Sequence, residues 1–327
     1  MSAPSRLALA LDEGGLRLPE EGRIAVFAPR AGEDLSALPK ARCEVITGFA
    51  PDHAHFEALG FACRTAPEGR YGAALVFVAR ARAKSEALIA EAVAVSDGLV
   101  VVDGAKTDGV ETLLRACRKR VEVAPALSKA HGKLFHFPAG PGFEDWAAGA
   151  PHRIEGGFVT LPGVFSADAV DPASRLLADH LPKKPGRLLA DLGAGWGYLS
   201  ARALERETVE EIHLVEAELA ALECARANVT DARARFHWAD ATRWRPEAPV
   251  DCVIMNPPFH AGRSPDPGLG RAFIESAKSM LAPRGQVFLV ANRHLPYEAE
   301  MARHFGEVSE VAGDARFKLL QGARPRR

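Results

Sequence analysis

The sequence predicts an α/β fold built twice in tandem, each copy a largely parallel sheet covered by helices. Three observations predict it. Short β-branched runs alternate with helical stretches along the whole chain, the pattern of strands joined by crossover helices. At 327 residues the chain is longer than one ordinary domain. Two stretches, GRIAVFAPRAGEDLSA (22–37) and GRLLADLGAGWGYLSA (186–201), also lie over one another without a gap, at a constant offset of 164.

In the first half the expected strands are RIAVFA, CEVITGF, ALVFVA and LVVVDG, followed by the helix VETLLRACRKR and the strand KLFHFP. The segment 138–158 is rich in Gly, Pro and Ala without periodicity and reads as a connection. The expected division is therefore a first domain over 1–140, a linker over 141–158 and a second domain over 159–327. In the second half the strands are RLLADL, EIHLVE, RFHWAD, DCVIMN and QVFLVA. Helical stretches YLSARALERE, LAALECARANV, RAFIESAKSML and YEAEMARHF separate or follow them, and EVSEVA with RFKLLQG closes the chain as a hairpin. ALVFVARARAKSEALIAEA then GLVVVDG mirrors CVIMNPPF, RAFIESA and QVFLVAN, while EVAPALSKAHGKLFHF mirrors EVSEVAGDARFKLLQG.

Composition narrows the class. A hydrophobic content of 47% with 25% charged residues is that of a water-soluble globular protein, and no apolar run reaches the roughly 18 residues of a membrane span. The N-terminus lacks the apolar core of an export signal, so a cytoplasmic protein is expected. Five scattered cysteines, none in CxxC spacing, fit a reducing compartment and give no zinc site; no metal is expected. The net charge is −1, with 18 basic and 19 acidic residues before position 150 and 23 of each after it. Neither half is a basic nucleic-acid arm, so contact with RNA would rest on local patches such as Arg115, Arg118, Lys119 and Arg120.

The copies differ where chemistry would sit. Asp191, Gly193 and Gly195 face Phe27, Pro29 and Ala31, and Asn256 aligns near Val78. A duplicated domain whose first copy lost its site accounts for this. In the second copy, Asp191-Leu-Gly193-Ala194-Gly195-Trp-Gly197 follows a strand and opens a helix, as a loop that lets a ligand approach the backbone must. Its GxGxG spacing puts Tyr198 where a dinucleotide fingerprint wants a third glycine, which favours S-adenosylmethionine over a nicotinamide. Asp191 suits the cationic amino group of the methionine part, Glu216 the ribose hydroxyls, and Asp240 with Ala241 the adenine. All stand at successive strand ends, where open α/β sheets bind ligands.

Asn256-Pro257-Pro258-Phe259 ends the strand VDCVIM. Two prolines remove two donors and fix φ twice, leaving a rigid rim where no helix or central strand continues. An amide oxygen and free carbonyls there suit a planar amine, and Phe259 suits stacking on its ring; Asn256 also borders the cofactor. His260, Arg263, His294 and Tyr297 are candidate substrate contacts. A base inside a duplex cannot reach such a rim, so the acceptor is expected to be single-stranded or extruded.

These residues resemble a family. LPGVFSADAVDPASRLL (161–177), DLGAGWGYLS, NPPFHAG (256–262), VANRHLPYE (290–298) and RFKLLQGA in the second half, with KTDGVETLL (106–114) and SKAHGKLFHF (128–137) in the first, are similar to the bacterial ribosomal RNA small subunit methyltransferase C family. The resemblance covers nearly the whole chain. It implies two tandem Rossmann-like class I methyltransferase domains with the first degenerate, serving a structural or RNA-binding role. It further implies methyl transfer from S-adenosylmethionine to the N2 amine of a guanine in 16S rRNA, with the small ribosomal subunit as partner and a monomeric protein. Asn256, Pro257, Pro258 and Phe259 would then form the target-base site. Trp196 departs from the smaller residue expected in the loop and is expected to restrict the cofactor pocket. The alternatives are a large-subunit (23S) guanine-N2 enzyme, a DNA adenine-N6 or protein glutamine-N5 methyltransferase, and, in a different class, a non-catalytic rRNA-binding assembly factor.

Overall fold

The computed structural model describes residues 5–12, 15–258 and 267–326 and divides into two units, Met1–Ala150 and Pro151–Arg327. The first contains α1 (Arg6–Asp12), β1 (Ile24–Phe27), β2 (Cys43–Ile46), α2 (Ala50–Ala58), β3 (Ala62–Arg64), β4 (Tyr71–Phe77), α3 (Arg82–Val95), β5 (Ser96–Ala105), α4 (Val110–Cys117), β6 (Leu127–Lys129) and β7 (Gly132–Pro138). Its sheet has the order β3-β2-β1-β4-β5-β7-β6, in which β7 runs opposite to the other strands among the described residues.

The second unit opens with a two-stranded ribbon, β8 (His152–Arg153) and β9 (Val159–Thr160). There follow α5 (Pro172–His180), β10 (Leu188–Leu192), α6 (Tyr198–Leu204), β11 (Glu211–Glu216), α7 (Leu219–Asn228), β12 (Ala234–Trp238) and β13 (Val250–Met255). The chain ends in α8 (Pro267–Met280), β14 (Leu281–Asn292), α9 (Tyr297–His304), β15 (Phe305–Gly313) and β16 (Phe317–Pro325). The order β12-β11-β10-β13-β14-β16-β15 repeats that of the first unit position for position. The tandem α/β duplication read from the sequence is therefore a duplication of topology.

Alternation along the central strands explains the layers. Cys252 and Ile254 of β13 enter one buried cluster with Leu189, Ala203 and Ala225, while Val253 and Met255 enter another with Ile274, Ala277 and Met301. A parallel sheet buried on both faces reads as an unbroken apolar run, and Cys252–Met255 is one.

The short elements escaped the pattern reading. β3 and β6 are three residues each, too short for a period, and α1 and α2 were not anticipated. The stretch 138–158 is not a free connection. Phe143 stacks on Phe137 at 5.3 Å and Trp146 packs edge-on to Phe143 at 5.2 Å, so its first part completes the first unit's core. Its last part supplies β8 to the second unit, and three of its five glycines, Gly142, Gly156 and Gly157, sit at positive φ.

Candidate functional site

The parallel strands of the second unit end on one edge of the sheet, and the strand order reverses between β10 and β13. At that reversal the crossover helices leave to opposite faces and open a crevice. Asp191 lies in β10 beside Leu214 and Ile254, Glu216 ends β11, Asp240 lies two residues past β12, and Asn256 follows β13 directly. The fold thus brings all four predicted positions to neighbouring strand ends.

The loop after β10 is held by backbone. The amides of Gly193 and Ala194 donate to the Val215 carbonyl at 2.8 and 3.1 Å, and Gly197 donates to Ala194 at 2.9 Å. Gly195, at φ +55°, has nothing within 4 Å of the place a Cβ would occupy, so one side of the loop faces open space. Gly197, at φ +89°, begins α6 with its missing Cβ only 2.9 Å from Val229 Cγ2. Gly197→Ala is therefore expected to cost about 1–3 kcal/mol through a disfavoured φ and a clash with α7. Thermal melting checks this, and an unchanged Tm would contradict it.

Asp191 is fully buried, with Oδ2 accepting from the Ser200 hydroxyl at 2.7 Å and Oδ1 without a partner among the described residues. Burial, and after it the nearby Glu216 charge, pushes its carboxyl up to about 7, against the Ser200 hydrogen bond. A buried carboxylate oxygen with no donor is costly unless a ligand supplies one. Glu216 is half-buried; its two oxygens accept the amides of Gly195 and Glu218, each at 2.8 Å, and burial raises its pKa. It therefore clasps the glycine loop as well as offering its remaining lone pairs. Asp240 Oδ1 accepts from the Thr242 amide and hydroxyl at 2.8 and 2.6 Å. Ala241 is buried, and its carbonyl accepts from Ser276 Oγ at 2.7 Å. An orphaned carboxylate, an open glycine face and acids on the next two strands fit S-adenosylmethionine.

Trp196 does not narrow this site. Its ring turns away to Phe158 and Tyr198, at 5.1 and 5.7 Å between centroids, and its indole N–H donates to the Phe165 carbonyl at 3.0 Å. The expected restriction is overturned because an apolar pocket on the far side of the loop, with Val164 and Val170, buries the ring.

Asn256 sits in an arrangement the sequence reading missed. Its Nδ2 donates to Asp171 Oδ2 and to Ser174 Oγ, both at 2.9 Å, while its buried Oδ1 has no partner among the described residues. Asp171 caps α5, accepting the Ser174 amide at 2.8 Å, with Pro172 at the first helical position. The only available signal was Asp-Pro-x-Ser, which marks a helix start and not a partner 85 residues away. Pro257 and Pro258 follow without regular structure; Phe259, His260 and Arg263 lie outside the described residues.

His294 is exposed in a recess of about 470 Å³ lined also by Asn292, Arg293, Ala315 and Arg316, just past the end of β14. Tyr297 is buried instead, in the core beside α8, where a Cβ on Gly270 would meet its hydroxyl. That burial removes it from the surface a substrate could touch, because α9 needs an apolar anchor at its first turn. The His294–Glu298 stretch is pinned by buried Lys318, which donates to the Leu295 carbonyl and the Glu298 carboxylate at 2.6 Å each. Among the described residues no group of three or more His, Cys, Asp or Glu could hold a metal, and no helix is long and apolar enough to cross a membrane.

Comparison with known proteins agrees with this geometry. The family model for the methyltransferase small domain matches residues 155–321. Ribosomal RNA small subunit methyltransferase C of Idiomarina loihiensis is 28% identical over 91% of this chain and 92% of its own length. Ribosomal RNA large subunit methyltransferase G of Streptomyces avermitilis is 30% identical over 94% of this chain and 88% of its own length. Other relatives of both kinds align over about half of this chain, and the match spans 44–48% of their length. A T. Thermophilus 16S rRNA N2 G1207 methyltransferase, solved in complex with AdoMet and guanosine, shares the fold over 98% of this chain and 92% of its own, with a TM-score of 0.78 and 24% identity. With the small-domain model matching residues 155–321, just over half of the chain, the chain belongs to the methyltransferase small domain family.

Proposed function

We propose that this protein transfers a methyl group from S-adenosylmethionine to the exocyclic N2 amine of a guanine in 16S rRNA. The observation that carries the reading is the buried, unpartnered Asn256 Oδ1 one strand away from the orphaned Asp191 carboxylate oxygen. One is an acceptor for an amine, the other an anionic anchor for a cation. The relatives named for 16S methylation support the nucleotide and the ribosomal particle.

Asp191 would hold the amino group of the cofactor, Glu216 its ribose and Asp240 its adenine, with Gly193, Ala194, Gly195 and Gly197 as the floor. When bound, S-adenosylmethionine supplies a methyl group activated by a sulfonium, so the chain needs no acid to expel the leaving group. The task left to the protein is positioning. The guanine amine has its lone pair delocalised into the ring. Asn256 Oδ1 and the Pro257 carbonyl accept its two N–H groups and direct the lone pair out of the ring plane. With the lone pair so directed, the amine would meet the methyl group that the bound cofactor supplies, and positioning is what Asn256 and Pro257 contribute. The resulting cationic nitrogen loses its proton to water, and no side chain is needed as base. The exposed His294 recess, with Arg316 beside it, offers a cationic group for the flanking RNA backbone. The protein is proposed to act as a cytoplasmic monomer, with no catalytic role for the first unit.

Nucleoside mapping of rRNA from a strain lacking the gene tests this directly. One N2-methylguanine should vanish from 16S rRNA and return on complementation. A second reading has its own support, the 30% identity to a large-subunit enzyme across almost the whole chain. Loss of N2-methylguanine from 23S rRNA alone would select it, and loss from neither would overturn both.

A further inference from the structure

We infer that Asp171 and Ser174 are positioning residues for methyl transfer, acting as a clamp that fixes which end of the Asn256 amide meets the substrate. The inference rests on the proposed role of Asn256 towards the guanine amine.

An asparagine amide is nearly symmetric in shape, and its two ends do opposite chemistry. Turned by 180°, Asn256 would present N–H groups to an amine that needs acceptors, and the site would repel its substrate. Nothing in the residue itself prevents the turn. The surroundings prevent it here. Asp171 Oδ2 stands 2.9 Å from one end of the amide, and an ionised carboxylate accepts only. Ser174 Oγ stands at the same distance from the same end. Both Nδ2 hydrogens are thereby spoken for, and Oδ1 is left buried and unpartnered among the described residues. A flipped amide would set its oxygen against the carboxylate and strand two donors on the other side.

The clamp also strengthens the acceptor. Hydrogen bonds in series polarise one another, so donation from Nδ2 to a carboxylate pushes electron density towards Oδ1. The clamp is rigid because Asp171 is tied three ways. Its Oδ2 also accepts the Ser174 amide, Pro172 fixes the first turn of α5, and Leu177 and Ala178 lock that helix into the core. One turn of helix thus binds its own start and the reactive amide to the same oxygen.

A cap with no further role would look the same in a single deletion, so the test separates the two. Asp171→Ser keeps a good cap but removes the longer carboxylate that reaches Asn256. Asp171→Asn keeps a carbonyl acceptor at the same length. Turnover on small ribosomal subunits is expected to fall on the order of 10- to 100-fold in Asp171→Ser, the range for partners that orient a functional ligand. Cofactor affinity should stay within a few-fold and Tm should hold. Asp171→Asn should recover a large part of the loss. In an Asn256→Ala background, Asp171→Ser should cost nothing more, because the clamp would have nothing to hold. A second readout needs no substrate. The Asn256 side-chain amide protons, followed by ¹H–¹⁵N NMR, should exchange slowly in the wild type and rapidly in Asp171→Ser.

Additive losses in the double variant, or unchanged amide exchange in Asp171→Ser, would overturn the clamp. If Asn256→Ala abolishes transfer while Asp171→Ser turns over like the wild type, the clamp fails and the proposed function stands. If the wild type methylates no RNA, the proposed function fails, and amide exchange alone then decides whether Asp171 and Ser174 hold the amide.

Discussion

Asn256→Ala is expected to lower methyl transfer by about 10²-fold or more while leaving S-adenosylmethionine affinity within a few-fold of the wild type. The split follows from position. Asn256 stands at the end of β13, and its only bonds among the described residues run to Asp171 and Ser174, not to the glycine loop. Removing it takes away an acceptor needed when the amine nitrogen pyramidalises, and leaves Asp191, Glu216, Asp240 and the glycine loop in place. The measurement is tritiated methyl incorporation into small ribosomal subunits and naked rRNA, with cofactor affinity by calorimetry. Near-normal turnover on every RNA would remove Asn256 from the reaction.

Asp191→Ala is expected to do the reverse and abolish cofactor binding first. Near-normal affinity in Asp191→Ala would remove Asp191 from the cofactor site. The buried carboxyl adds a pH signature. Its folded pKa, about 7, lies above the unfolded value near 3.8. The folded state therefore prefers the protonated acid. Its contribution to stability is complete below about pH 4 and is lost as pH rises towards 7, on the order of 4 kcal/mol in all. Cofactor binding has the opposite sign, since an ammonium pairs with the ionised form. Affinity should fall as pH drops from 8 to 6 in the wild type. Asp191→Asn, which keeps the shape and removes the charge, should melt higher than the wild type at pH 8 and bind no cofactor. A lower Tm for Asp191→Asn at pH 8 would show that the carboxylate is stabilised by the protein alone. Stability given up at a site of this kind is expected where a residue is placed for a ligand and not for the fold.

Asp191, Glu216, Asp240 and Asn256 were legible in the sequence because each sits within two residues of a strand end, and apolar runs announce those ends. Val250–Met255, with its run Cys252–Met255, is such a strand. Asp191, Glu216, Asp240 and Asn256 could be placed together from that alone, given the rule for open sheets. Trp196 was misjudged for a related reason. Its place in the loop was visible, but the side chain's direction depends on Phe158 and the Phe165 carbonyl, which lie on a separate segment. Tyr297 was misjudged likewise, since LPYE reads as a loop motif until α8 is seen to leave a gap at Gly270 that its hydroxyl fills. Asp171 and Ser174 were in plain view in VDPASRLL, yet read only as the start of a helix.

The sequence by itself determined the tandem α/β architecture, the glycine loop with its acid, and the Asn-Pro-Pro rim. These depend on local periodicity and on residues whose backbone demands are intrinsic: glycine at positive φ, proline without a donor, a β-branched run between them. Tertiary structure alone decided which end of the Asn256 amide is free, that Glu216 clasps Gly195, and that the 138–158 stretch is shared between two cores. Each of these is a contact between residues far apart in the chain, and no local preference of either partner encodes it. A carboxylate at the cap of α5 meets an amide at the end of β13 only because both faces of a parallel sheet are buried, which forces helix and strand into one register.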